Sequence, residues 1–181
     1  MMWGKKLISC TMAIVVVMTM LLAVPGLEME AAGTEVTYAV TGGNITFDTS
    51  TGTITDCDES VTEVVIPNTI EGVFVTGIGY GAFAYCYNLR SVKIPASVAT
   101  IGDNAFSSCT NLESIEIPTN VTSMGNSTFA DCYSLSSIEI SANVTSIGDN
   151  AFSSCNSLYF LSIISCSSYR KKRWIFIALT L

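Results

Sequence analysis

The sequence predicts a repeat solenoid that is rich in β-structure and built from short parallel strands. The first observation behind this prediction is a period of 23 residues. Three columns of identical residues follow it: Phe83, Phe106, Phe129 and Phe152; Cys86, Cys109, Cys132 and Cys155; Gly79, Gly102, Gly125 and Gly148. A fixed period of this size means that one repeat buries its apolar face only by stacking on the next.

The second observation is the apolar pattern inside each repeat. Leu112, Ile115 and Ile117 follow the order L-x-x-L-x-L, which is the signature of a leucine-rich repeat. Alternate residues of a strand face opposite ways. We therefore expect these three side chains in the core, and Ser114 and Glu116 on the outside of a parallel sheet. Four further positions are expected to complete the core of this repeat: Val121, Met124, Phe129 and Cys132.

The segment 33–60 is predicted to be an N-terminal β-hairpin cap. Short alternating runs separated by glycine turns predict strands at Val36–Val40, Ile45–Phe47 and Thr53–Thr55. A solenoid needs such a cap because its first strand otherwise has an open edge. The repeats are predicted to span 61–163, with one additional hairpin around Gly72 in the first repeat.

Both ends of the chain differ from the repeats. A basic start followed by the apolar run Leu7–Val24 predicts a signal peptide over 1–32, cleaved after residue 26 or 32. An uncleaved anchor helix is the alternative, since the run is just long enough to cross a bilayer. The segment 164–181 is an aberrant basic and apolar tail. We expect it either to lie on a membrane surface or to leave a self-associating sheet edge.

Composition excludes several classes of function. Between the two ends only Arg90 and Lys93 are basic, while acidic residues occur throughout. Nucleic acid is therefore not expected as a partner, because phosphate binding needs a basic face. The chain has no histidine, which removes Ser-His-Asp, Cys-His and histidine-ligated metal sites. No catalytic, cofactor or metal residue is predicted, and an enzyme is not expected.

The cysteine column has three possible interpretations: a metal ladder, disulfides or buried thiols. The spacing lacks the paired C-x₂-C clusters of a zinc site. Equivalent side chains on stacked strands lie about 4.8 Å apart, beyond the ~3.8 Å Cβ separation that a disulfide prefers. The favoured interpretation is a column of small buried thiols that fills the back of the core.

The repeat resembles a known family at specific residues. The runs Ser114–Pro118 and Val121–Gly125, followed by Thr128, Phe129 and Cys132, are similar to the BspA-like leucine-rich-repeat family of secreted and surface proteins from bacteria and protozoa. The resemblance implies adhesion or protein binding at the cell surface or outside the cell. Two departures are Ser141, which replaces a proline of the other repeats, and the loss of the pattern after residue 163. A truncated or frameshifted member without independent function is therefore the alternative.

The strands of the repeats carry a candidate binding face. Its outward positions form a serine column and a charged column: Ser91, Ser114 and Ser137; Lys93, Glu116 and Glu139. The small serines leave the face open, and the acidic residues favour a basic partner. We expect a protein partner, for example a host extracellular-matrix or cell-surface protein. The alternative is a solvated sheet whose charges only maintain solubility.

Overall fold

The structure is a computed structural model that describes residues 34–163, which belong to one compact unit. The predicted signal peptide (1–32) and the predicted tail (164–181) lie outside the described residues. Across residues 34–163 the chain forms strands and turns without a helix. The strands are β1 Glu35–Val40, β2 Gly43–Asp48, β3 Thr53–Cys57, β4 Glu63–Val65, β5 Thr69–Ile70, β6 Val73–Phe74, β7 Gly77–Ile78, β8 Ser91–Lys93, β9 Thr100–Ile101, β10 Ser114–Glu116, β11 Ser123–Met124, β12 Ser137–Ile140, β13 Ser146–Ile147 and β14 Phe160–Ile163.

Two parallel stacks of strands build the solenoid. One is a five-stranded sheet in the order β14-β12-β10-β8-β4, and every neighbour is parallel. The register places each residue beside its copy one repeat later, as with Val92, Ile115 and Ile138. The second stack, β7-β9-β11-β13, uses shorter strands later in each repeat. The predicted leucine-rich-repeat solenoid is confirmed, and the second stack is an addition to the prediction.

The predicted cap is also confirmed. β1, β2 and β3 form an antiparallel meander, and β3 then pairs in parallel with β7, so the cap extends the second stack. The turn between β1 and β2 reaches the other sheet, where Thr41 bridges Glu63 on the edge strand β4. Ile45, Phe47 and Ile54 have no exposed surface and continue the core of the repeats.

The additional hairpin of the first repeat forms as predicted. β5 pairs antiparallel with β6, and the two turn residues are Glu71 and Gly72. Both have positive φ, at 50° and 80°, as a tight type I′ turn requires. Ile66 and Ile94 are 28 residues apart, whereas Ile94 and Ile117 are 23 apart, so the first repeat has five extra residues. The hairpin accommodates them.

Phenylalanine rings stack in a row behind the strands. The centroids of Phe83 and Phe106 are 5.0 Å apart, those of Phe106 and Phe129 are 5.3 Å apart, and the planes are nearly parallel. Phe152 continues the row at 5.6 Å. Phe83, Phe106 and Phe129 are fully buried. These distances are close to the strand spacing, so each ring occupies the same place in its own turn.

The glycine column is required by the packing of adjacent turns. None of its four glycines has a positive φ, so left-handed backbone is not the reason for them. A Cβ on Gly102 would lie 2.9 Å from the carbonyl carbon of Gly79, and one on Gly125 would collide with the backbone of Asp103. The glycines therefore allow adjacent turns to approach closely. The left-handed positions lie a few residues later, at Gly81, Asn104, Ser127 and Asn150 and at Tyr85, Ser108, Asp131 and Ser154.

Candidate binding face and junction cleft

The six residues of the predicted binding face form two columns on the parallel sheet. The strand face is defined here as Ser91, Lys93, Ser114, Glu116, Ser137 and Glu139. Parallel pairing places Ser114 between Ser91 and Ser137, and Glu116 between Lys93 and Glu139. The structure therefore brings together all six residues that the sequence analysis selected.

Alternation along each strand explains why these side chains point outward. In β8 and β10 the central residues, Val92 and Ile115, are buried, while the residues on either side are exposed. β12 follows the same pattern, with Ser137 half-buried and Glu139 exposed. Because a strand exposes every second residue, burying the apolar centre fixes the outward direction of its neighbours.

The charges on the strand face are unevenly distributed. Lys93 lies beside Glu116, and Glu116 lies beside Glu139 on the next strand. Neighbouring strands are about 4.8 Å apart, so the exposed carboxylates of Glu116 and Glu139 lie close enough to repel each other. The end of the face near β12 is therefore acidic. Its other end begins with Val65, whose side chain is 65% exposed.

A cleft lies where the cap meets the first repeats. Its volume is about 710 Å³, and its lining combines acidic, aromatic and small residues: Thr55, Asp56, Cys57, Asp58, Glu59, Tyr80, Gly81, Ala84, Tyr85, Asn104 and Ser107. Asp58 is already engaged, since its Oδ2 accepts hydrogen bonds from the backbone and side chain of Asn44 at 2.8 and 3.0 Å. The sequence did not predict this junction cleft, because the cap residues that line it, Thr55 to Glu59, lie outside the 23-residue period.

Three cysteines of the column form a regular ladder. The Sγ atoms of Cys109, Cys132 and Cys155 donate to the carbonyl oxygens of Phe83, Phe106 and Phe129 at 3.0, 3.1 and 3.0 Å. Burial raises the pKa of Cys109 and Cys132 well above the usual range and that of Cys155 to about 11. Neutral thiols are weak nucleophiles. The interpretation as buried thiols is confirmed for Cys109 and Cys132, while Cys155, in the last turn, is only partly buried.

Cys86 has different surroundings from the other members of its column. Its Sγ lies 3.9 Å from the carbonyl oxygen of Asp58, and a second thiol, that of Cys57, lies 3.5 Å from the same oxygen. Cys57 is the last residue of β3 and does not share the 23-residue spacing. The sequence distinguishes Cys57 only by this position outside the column. The proximity of Cys57 to Cys86 is seen only in the folded structure.

Between residues 34 and 163 there is no group of three or more histidine, cysteine, aspartate or glutamate side chains placed to bind a metal ion. In the same range, no helix has the length and apolar character needed to span a membrane.

Comparison with known proteins identifies the repeat. A family model described as BspA type leucine rich repeat region (6 copies) matches residues 50–176, which is more than half of the chain. The chain belongs to this BspA-type leucine-rich repeat family. The resemblance found in the sequence is thereby confirmed. No curated protein matches the chain.

Crystal structures of other leucine-rich repeat proteins support the assignment. One from Bacteroides capillosus is 32% identical, covers 70% of this chain and 96% of its own, and has a TM-score of 0.58. The Treponema pallidum protein TpLRR is 19% identical over 69% of this chain and 81% of its own, with a TM-score of 0.50. One from Eubacterium ventriosum is 22% identical over 68% and 39%, with a TM-score of 0.52. At these lower identities the last two show the fold alone.

Proposed function

We propose that this BspA-type protein is a secreted or cell-surface binding module that holds a basic region of another protein against its strand face. The observation that carries the proposal is the register that stacks Glu116 on Glu139 beside a row of serines. An extracellular-matrix or cell-surface protein with clustered lysine or arginine would complement this surface.

Two properties of the strand face support a binding role. Its serines are small, so the backbone of a partner can approach the sheet, and their hydroxyl groups can donate or accept hydrogen bonds. Its adjacent carboxylates make the local electrostatic potential more negative, which favours a cationic partner and increases the rate of association. Membership of a leucine-rich repeat family points in the same direction, because these folds present extended binding surfaces.

Charge reversal tests the proposed face. Glu116→Lys/Glu139→Lys is compared with wild type for binding to a panel of purified extracellular-matrix proteins. Glu59→Lys/Asp149→Lys is the matched control, since it makes the same change in net charge at exposed residues outside the strand face. We expect the first variant to lose at least tenfold in affinity and the control to lose much less. Wild-type binding should weaken with added salt, because exposed charges are screened.

The same experiment can contradict the proposal. Equal binding by wild type and Glu116→Lys/Glu139→Lys would remove the strand face as the site and make the β5–β6 hairpin the next candidate. Equal losses in both variants would indicate a response to net charge alone. Thermal midpoints of all three proteins should agree, because these residues are exposed.

Export is a separate part of the proposal. The basic start and the run Leu7–Val24 support cleavage by a signal peptidase. N-terminal sequencing of protein recovered from outside the producing cell should begin between Leu27 and Thr34. Recovered protein that still begins at Met1 or Met2 would contradict this.

A further inference from the structure

Two thiols from different parts of the fold converge at the junction cleft. The Sγ atoms of Cys57 and Cys86 lie 3.5 and 3.9 Å from one acceptor, the carbonyl oxygen of Asp58. Both thiols therefore donate to the same oxygen atom. Cys57 ends the last strand of the cap, and Cys86 begins the cysteine column of the repeats. A bond between their sulfurs would therefore join the two regions of the fold.

The ladder shows why this pair differs from the other cysteines. Cys109, Cys132 and Cys155 each donate to a phenylalanine carbonyl of the preceding turn at 3.0–3.1 Å. Cys86 belongs to the first repeat, so the cap takes the place of a preceding turn, and the neighbour that it supplies is a second thiol. The interaction between the two thiols lowers the pKa of Cys86 and raises the pKa of Cys57, whereas burial raises the pKa of the ladder thiols. A thiolate is the reactive form in disulfide exchange.

The junction cleft gives the pair a route to solvent. Cys57 is among the residues that line the cleft and is 9% exposed, while Cys86 behind it is fully buried. Cys109 and Cys132 are fully buried as well and do not line it. A small reagent that enters the cleft would therefore reach Cys57 first.

We propose that Cys57 and Cys86 are a redox-active pair that forms a reversible disulfide between the cap and the first repeat when the protein meets a low-molecular-weight disulfide. The bond would replace a contact between two thiols by a covalent link. Such links stabilise a fold mainly by restricting the unfolded chain.

The reaction balances as an ordinary thiol–disulfide exchange with cystine, the disulfide of free cysteine. Cys86 loses its proton more readily than Cys57, because the pKa of Cys86 is lowered while that of Cys57 is raised. The Cys86 thiolate accepts the proton of the Cys57 thiol as the Cys57 sulfur attacks cystine, and one molecule of cysteine leaves. Cys86 then attacks the Cys57 sulfur, forming the protein disulfide and releasing the second cysteine. The protein loses two electrons and two protons, and one cystine is reduced to two cysteines.

Peptide mapping tests the pair directly. The full chain is incubated with cystine, quenched with acid, alkylated with N-ethylmaleimide after unfolding, and digested. We expect a crosslinked peptide pair containing Cys57 and Cys86, while Cys109, Cys132 and Cys155 carry the alkyl group. Dithiothreitol should reverse the link. The thermal midpoint of the oxidised protein should exceed that of the reduced protein by about 10 °C.

Single substitutions give matched controls. Cys57→Ser should abolish the crosslink and the redox dependence of the thermal midpoint, whereas Cys132→Ser should retain both. Alkylation of Cys57 and Cys86 in the cystine-treated wild type would overturn the proposal, and this result needs no variant. Crosslinks found only between other cysteines, including Cys10 or Cys166, would also overturn it.

Discussion

The cap and the repeats contribute to one hydrophobic core, but different interactions hold each of them in place. In the repeats, a buried side chain stacks on its own copy, as Phe106 does on Phe129 at 5.3 Å. The cap has no copies, and local side-chain hydrogen bonds close its turns. Ser50 donates its N–H and its hydroxyl to Asp48 Oδ1 at 2.8 and 2.7 Å. The packing of each repeat residue therefore depends on the equivalent residues in adjacent turns, whereas a hydrogen bond in a cap turn depends only on nearby residues.

The largest effect should follow removal of a stacked ring. Phe129→Ala deletes a fully buried side chain that packs between two others, and it should cost about 3–5 kcal/mol of unfolding free energy. Phe74→Ala, at a phenylalanine that is 63% exposed, is the control and should cost less than about 1 kcal/mol. Urea unfolding of the two variants measures both values. Similar costs would show that the stacked row does not carry the stability of the repeats.

The next effect concerns the close approach of adjacent turns. Gly125→Ala places a Cβ against the backbone of Asp103 and Gly102, so the turns must separate, at a cost of about 1–3 kcal/mol. Gly81→Asn is the control, because it introduces the residue that the next repeat carries at the same left-handed position, Asn104. Its cost should stay below about 1 kcal/mol. A larger cost for Gly81→Asn than for Gly125→Ala would contradict this, because backbone conformation would then matter more than the distance between turns.

A smaller effect should appear at alkaline pH. Unfolded cysteines lose their protons near pH 8.5, but burial holds the pKa of Cys155 at about 11 and raises those of Cys109 and Cys132. Above pH ~8.5 the unfolded state therefore binds fewer protons than the native state, and stability falls as pH rises.

Thermal melting of wild type and of Cys109→Ala/Cys132→Ala/Cys155→Ala measures this effect between pH about 7.5 and about 10.5. The wild-type midpoint should fall more steeply than that of the triple variant. Identical slopes would place the alkaline titration on other groups.

The smallest effect is expected at an exposed turn of the cap. Hydrogen bonds from Thr34, Ser50 and Thr51 hold the pKa of Asp48 well below its usual range. The unfolded carboxyl therefore takes up its proton first as pH falls, so its contribution is present above pH ~4 and is lost in more acidic solution. Asp48→Asn should weaken the dependence of the thermal midpoint on pH between about 5 and about 2. Asp56→Asn, at another exposed acid of the cap, should change it less.

The repeats were predictable because one rule governs every turn. A residue at a periodic position must meet its equivalent, so the period alone identified the buried Phe129 and Cys132 and paired Glu116 with Glu139. The spacing argument against disulfides within the cysteine column also agrees with a ladder of free thiols. It could not extend to Cys57, which is outside the period.

The sequence by itself determined the solenoid, its core columns and the composition of its strand face. Each of these follows from local alternation combined with the 23-residue period. Only the tertiary structure decided the parallel pairing of β3 with β7, the close approach at Gly125 and the meeting of Cys57 with Cys86. The first and third of these contacts join the cap to the first repeat, which share no period, and the second depends on how closely successive turns stack.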